Sequence, residues 1–259
     1  MQFIGLTFDH SIKKLEDIGR FWSSKIYRNK ENIYDYSAAS YATFIHHNPD
    51  RKLTLMVDDV SLMLEKLSKY DIDLTNVIMK DWSKEIEEFK KDKFAFKPLV
   101  ELIRPFKDSG EYTTKLDNDL VCHGKVQDDF GDPNAVAVWK LEGLVKDGDI
   151  RWGEKLACER IFNETNFIRY NVGLIGMPTE FLKHYEEYAE NTEKLVNVDI
   201  TSVSDLGVKM YHCCDQTSYN WLMHKYGFKV NEMYGLFDHH FDDKNRCISA
   251  ARGLLKNVT

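Results

Sequence analysis

A chain of 259 residues that is 43% hydrophobic can bury a sizeable core, as one large domain or two small ones. A charged fraction of 30% with only 14 glycines and 5 prolines excludes a disordered or low-complexity protein. The formal net charge of -7 gives no support to broad polyanion binding, although it leaves room for a local basic groove.

Taken in order, Phe3 to Phe8 (FIGLTF) reads as a buried first strand ending at Asp9 and His10. Ser11 can cap a helix, KKLEDIGRFWSSKIY, in which Leu15, Ile18, Phe21 and Trp22 recur at helical spacing. Tyr34 to Ile45 is aromatic and small, and reads as a short strand or loop. Leu53 to Val57 is a second strand ending in Asp58-Asp59, Val60 to Tyr70 an amphipathic helix, and Ile72 to Met79 a third strand before a helix opened by Asp81-Trp82. Strands alternating with helices indicate a parallel sheet wrapped by helices. Phe94 to Phe106 reads as a helical segment with prolines near both ends.

The stretch from Glu111 to Gly124, EYTTKLDNDLVCHG, carries the chemistry. Tyr112 to Leu116 has the aromatic and β-branched residues of a strand and enters from the turn Ser109-Gly110. It exits into Asp117-Asn118-Asp119. On an extended chain that spacing points both carboxylates to one side, where they repel unless a cation lies between them. Hard oxygen ligands suit Mn²⁺ or Mg²⁺, and in α/β sheets ligands bind at the C-terminal ends of strands. Asp and Asn also form ordinary strand exits, so this tripeptide gains meaning from the segments downstream of it.

Beyond a turn-rich loop, QDDFGDPN, apolar character resumes at Val136 to Val145. A helix is expected over Trp152 to Phe162, then a strand over Phe167 to Ile175, and one long helix over Pro178 to Leu195. Tyr170-Asn171-Val172-Gly173-Leu174-Ile175-Gly176 begins in that strand, and its two glycines, separated by apolar residues, allow a close approach by a ligand or another strand. Lys209 to Asp215 reads as a short strand and Thr217 to Tyr226 as a helix, with Asp215-Gln216 at its start, where Asp215 could be an N-cap. The tail holds Phe237-Asp238-His239-His240-Phe241, with Lys244 and Arg246 close behind. A histidine can add a nitrogen ligand to an oxygen-rich site, and Lys or Arg can pair with phosphate.

In this order TKLDNDLV, RYNVGLIG, CDQTSYNWL and DHHFDDK resemble the nucleotide-sugar glycosyltransferases of the GT-A fold, over roughly Phe94 to Lys244. The resemblance implies a single α/β domain: a mostly parallel, Rossmann-related sheet flanked by helices. Residues 1–124 would form a nucleotide-sugar-binding half ending in the D-x-D strand, and residues 125–259 an acceptor-binding, site-completing half. Asp119 would bind Mn²⁺ or Mg²⁺, with Asp117 on the metal or the ribose of a UDP-sugar donor. His239 or His240 would complete the metal shell, and Lys244 would touch the β-phosphate. Phe8 and Asp9 would line the base pocket. Asp215 or Gln216 would sit near the anomeric carbon, Asp215 serving as base if the enzyme inverts. The tail departs from the family pattern, since His239-His240 is followed by Phe-Asp-Asp-Lys without the glycine and Lys-Pro of many retaining members.

Other classes compete. Asp117-Asn118-Asp119-Leu120-Val121 also fits the nucleophile loop of HAD-type phosphatases, with Asp117 attacking phosphorus, but more than a hundred residues precede it here. A zinc site from His212, Cys213, Cys214, His239, His240 and Cys247 lacks C-x₂-C spacing. A non-catalytic nucleotide-sugar-binding module is the remaining alternative. Five cysteines, two of them adjacent, suggest a reducing compartment. With no apolar run near ~20 residues and no leader-like start, the expectation is a soluble, cytoplasmic protein. The acceptor would be a glycan or, as in phage enzymes of this kind, hydroxymethylated cytosine in DNA. The DNA reading needs a basic groove from Lys90, Lys91, Lys93 and Lys97, or from Lys244, Arg246 and Arg252.

Overall fold

The computed structural model describes residues 1–9, 29–91, 100–127, 132–147, 153–198, 214–239 and 245–256. The expected helix after Ser11 and most of Phe94 to Phe106 lie outside these residues. The N-terminal strand, β1 (Gln2–Thr7), is buried along its whole length and lies inside the sheet. Strands β2 (Leu53–Val57) and β3 (Val77–Asp81) extend the sheet on one side of it. On the other side come β4 (Thr113–Leu116), then β7 (Ile168–Met177), β6 (Ala135–Leu144) and β8 (Lys229–Glu232). The order is β3-β2-β1-β4-β7-β6-β8. All described neighbours are parallel except at β7, which runs against both β4 and β6. A strand covered on both faces needs no polar alternation, which is why FIGLT and LTLMV read as continuous apolar runs. Edge strand β3 is partly exposed and ends in Lys80 and Asp81, charges that discourage edge-to-edge pairing.

The period of two sends alternate β1 residues to two cores. Phe3 packs with α1 (Lys30–His47), whereas Ile4, Leu6 and Phe8 join the core beneath α6 (Tyr185–Val196) and α7 (Cys214–Tyr226). Gly5 belongs to the α1 side. A Cβ there would come within 2.7 Å of the Tyr41 hydroxyl, which instead donates to the Leu6 carbonyl at 3.2 Å.

Helix α1 corrects the strand-or-loop expectation for Tyr34 to Ile45. Ile33 to Ile45 is buried nearly all round. A helix of that kind shows no amphipathic stripe, and Ser37, Ala38, Ala39, Ser40 and Ala42 let it press close to its neighbours. The Asn29 side chain caps it by accepting from the Glu31 N–H at 2.9 Å. The third strand begins at Val77, later than expected, after a turn in which Asp73 accepts from the Thr75 N–H.

Helices α2 (Val60–Leu67), α3 (Ser83–Lys91) and α4 (Glu154–Phe162) follow the expected pattern. The single helix expected over Pro178 to Leu195 is two pieces, α5 (Thr179–Leu182) and α6, because His184 adopts φ -95° and ψ 14° and resets the helical path. Helix α7 starts at Cys214, so Asp215 stands inside its first turn and is not an N-cap. Most of the short strand expected before it, Lys209 to Cys213, lies outside the described residues. The C-terminal part returns to the first core: β9 (Phe237–His239) pairs antiparallel with β5 (Leu120–Cys122), and α8 (Asn245–Ala250) packs on α1. No helix among the described residues is long and apolar enough to cross a membrane.

Candidate metal and donor site

The site forms where β4 leaves the sheet. Gly5 of β1 pairs with Leu116 of β4 in parallel, so Phe8 and Asp9 leave the sheet at the same edge as Asp117. Phe8 is buried in the second core, and the Asp9 N–H donates to Asp58 Oδ2 at 2.9 Å. The same Asp58 accepts from the Tyr34 hydroxyl at 2.5 Å.

Asp117 and Asp119 do not lie on an extended chain as the spacing suggested. The segment turns, with the Leu120 N–H reaching back to the Asp117 carbonyl at 3.4 Å. Asp119 is drawn into the interior, only 3% exposed, while Asp117 stays partly open. Strand β5 is fixed from two directions. The Ser40 hydroxyl of α1 donates to the Leu120 carbonyl, and the Cys122 N–H donates to Thr43 Oγ1 at 3.0 Å. On its other edge Leu120 pairs with His239. This pairing carries His239 Nε2 to 3.0 Å from Asp119 Oδ1 and 4.0 Å from Asp117 Oδ2.

Two neighbours seat the imidazole. Trp139 of β6 meets it edge-on at 5.3 Å between ring centroids and donates from its indole N–H to the Phe237 carbonyl at 2.7 Å. Gly173 of β7 supplies the space: a Cβ there would lie 2.9 Å from His239 Nδ1. The carbonyl of Gly173 also accepts from the Asp117 N–H at 2.9 Å, and its own N–H donates to Asn171 Oδ1 at 2.9 Å. The Asn-x-Gly pattern is thereby explained by the two ligand segments that touch its glycine. Gly173→Ala is expected to displace the His239 ring and weaken divalent-metal affinity by about tenfold or more with little change in melting temperature. Calorimetric Mn²⁺ titration checks this, and unchanged affinity would show that the ring has room to shift.

Asp117, Asp119 and His239 can each offer one ligand atom, all within 4.8 Å of one another. No other cluster of three or more His, Cys, Asp or Glu ligands occurs among the described residues. Two carboxylate oxygens and an imidazole nitrogen fit a divalent cation with a preference for oxygen, and the sulfur-rich zinc alternative has no counterpart among the described residues: Cys214 and Cys247 are buried and join no such cluster. His240, Lys244, His212 and Cys213 lie outside the described residues.

Lys115, which no motif singled out, lies beneath the cluster. It is 2% exposed and puts its ammonium 2.7 Å from Asp117 Oδ1 and 3.9 Å from Asp215 Oδ2. Burial raises the pKa of Asp215, Lys115 opposes that shift, and the neighbouring Asp117 charge adds to it. The Lys115 pKa is also raised: burial works against its charge, and the attraction of Asp117 and Asp215 outweighs burial. The closer contact goes to Asp117, so Asp215 receives the smaller share of compensation.

Gln216 donates from its amide to Glu142 Oε2 at 3.2 Å. Glu142 also accepts from Asn171 Nδ2 at 3.0 Å and pairs with Arg169 Nε at 3.3 Å. Arg169 in turn reaches the buried Glu154 at 2.7 Å, which accepts from the Thr217 hydroxyl at 2.8 Å. The start of α7 is therefore tied to β6 and β7 by a polar network. Arg169, Asn171, Gln216 and Thr217 come from the segments RYNVGLIG and CDQTSYNWL, whereas Glu142 and Glu154 left no motif; Lys115 left only a faint signal, a lysine in a β-branched strand two residues before Asp117.

The mostly parallel sheet with one reversed strand is the fold of solved GT-A structures. The sequence matches no protein-family model and no curated protein. Among solved structures, the chain resembles galactosyltransferase LgtC in complex with donor and acceptor sugar analogs, with a TM-score of 0.51 and 13% identity over 100% of this chain and 98% of that one. An active-site mutant of LgtC gives 0.53 and 12% over the same shares. Apo mouse xyloside xylosyltransferase 1 gives 0.49 and 11% over 90% and 84%. At these identities the likeness to LgtC is one of fold.

Proposed function

We propose that this chain is a metal-dependent glycosyltransferase that moves a sugar from a UDP-type donor to an acceptor hydroxyl. The observation that carries the reading is the convergence of Asp117, Asp119 and His239 at the C-terminal edge of a GT-A-type sheet. These three residues would hold Mn²⁺ or Mg²⁺. When bound, the ion supplies positive charge against the charge developing on the departing nucleotide. Residues 1–124 bind the donor: Phe8 and Asp9 border the nucleotide and Asp117 reaches the metal or the ribose. Residues 125–259 complete the site. Asp215 or Gln216 stands near the anomeric carbon, where a carboxylate or amide oxygen stabilises the oxocarbenium-like charge of the transition state. In an inverting reaction Asp215 would take the acceptor proton. His240 and Lys244 retain the metal and β-phosphate roles that the family resemblance implies.

The acceptor is a glycan or hydroxymethylated cytosine in DNA. Arg246 and Arg252 are exposed, as DNA binding would require, whereas the side chains of Lys90, Lys91, Lys93 and Lys97 lie outside the described residues. The test is calorimetric binding of UDP- and GDP-sugars with and without Mn²⁺, followed by acceptor assays on glycans and hydroxymethylcytosine DNA. Mn²⁺-dependent binding of a UDP-sugar supports the proposal. Indifference of every nucleotide-sugar to Mn²⁺ overturns it, and beryllofluoride trapped on Asp117 would point to the phosphatase reading instead.

A further inference from the structure

We infer that Lys115 is a positioning residue that turns the Asp117 carboxylate toward the metal centre and ties Asp215 to the same charge. The inference rests on the metal reading proposed above. Every residue of β4 is buried, and a lysine in such a strand is retained only when its charge is matched. The match is asymmetric. Asp117 Oδ1 accepts from the ammonium at 2.7 Å, while Oδ2, the other oxygen, faces His239 at 4.0 Å. The main chain of Asp117 is held independently by the Gly173 carbonyl. With its backbone fixed and one oxygen engaged, the carboxylate presents a single oxygen toward the cluster. The period of two along β4 places Lys115 and Asp117 on one side of the chain, so the residue that orients the ligand is encoded two positions before it.

The second contact reaches another element. Asp215 Oδ2, in the first turn of α7, lies 3.9 Å from the same ammonium. A lysine ammonium is a compact charge with three rotatable donors and can serve two carboxylates at once. Lys115 therefore joins the ligand segment after β4 to the helix start assigned to the sugar-transfer step. Outer residues that orient metal ligands typically change metal affinity 10–100-fold when removed.

The test is Mn²⁺ binding to the full chain, read by the electron paramagnetic resonance of free Mn²⁺ with no nucleotide present. Lys115→Met is expected to weaken Mn²⁺ binding by about 10–100-fold. Lys115→Met combined with Asp215→Asn relieves the buried carboxylate left behind, and carries the test should the single variant fail to fold. It should show the same loss of affinity, since Asp117 is still unsupported. A crystal structure of the Mn²⁺-loaded unaltered protein provides a check without substitution, with Asp117 Oδ1 expected on Lys115 and Oδ2 on the metal side. Wild-type affinity in a folded variant, or Asp117 turned away from Lys115 in the loaded protein, overturns the inference and leaves the proposed function standing. If the unaltered protein takes up no Mn²⁺, the metal reading and this inference fall together.

Discussion

Asp119→Asn is expected to abolish metal-dependent donor binding, with Mn²⁺ affinity falling by more than ~100-fold, beyond the range seen for residues that only orient ligands. Asp119 is the most deeply buried of the three candidate ligands, and its Oδ1 makes the close 3.0 Å approach to His239. Asparagine matches its volume and can still hydrogen-bond the imidazole, so packing is preserved while the charge that attracts a cation is removed. The backbone role also survives, since the Asp119 carbonyl accepts from Cys247 Sγ at 3.5 Å whatever the side chain. Melting should shift by no more than a few degrees. Calorimetric titration of Mn²⁺ and UDP-sugar into the folded variant checks the expectation, and wild-type Mn²⁺ affinity would remove Asp119 from the metal site.

Asp215→Asn is expected to lower the transfer rate about a hundredfold or more, the loss of ~3–4 kcal/mol typical of a transition-state contact. Its effect on stability should have the opposite sign. Burial holds the folded pKa of Asp215 above its unfolded value. The stability this group contributes is thus fully present below the unfolded pKa and is lost as pH rises through the raised folded value. Where it is ionised, the buried carboxylate is a burden that the amide does not carry. The metal-free variant should melt at the same temperature as the unaltered protein or above it at pH 7, and should lack that pH-linked loss. Thermal melts across pH 4 to 8, with initial rates at saturating donor, separate the possibilities. A variant that melts lower and turns over normally would make Asp215 a structural residue.

The alternation of strands and helices, the strand entering Asp117 and the helix after Asp215 were legible because each rests on local signals. These were apolar runs, a turn at the strand entry and helical spacing. The features that escaped did so for physical reasons. Helix α1 lacks a polar face, so its period is invisible in a pattern of apolar and polar residues. The break at His184 is set by two backbone angles, with no glycine or proline to mark it. In the site, the acidic pair and His239 were readable as residue types suited to a metal. The turn that buries Asp119, the space left by Gly173 and the reach of Lys115 to Asp215 exist only once β4, β7, β9 and α7 are assembled. Gly173 shows the difference: in sequence it only permits a close approach, and in the fold it is the hollow that admits an imidazole.

The ribbon of β5 and β9 is three paired positions long and lies apart from the main sheet. It carries one candidate ligand, His239, while both candidate carboxylates come from a turn anchored to β4 and β7. Loss of this pairing would remove the nitrogen donor while leaving the oxygens in place. A cation that engages all three closes a large loop, and its binding stabilises that closure by mass action. Under the proposed metal reading, cation binding and pairing of β9 with β5 would be linked, so the last described strand would be docked more firmly when the centre is occupied.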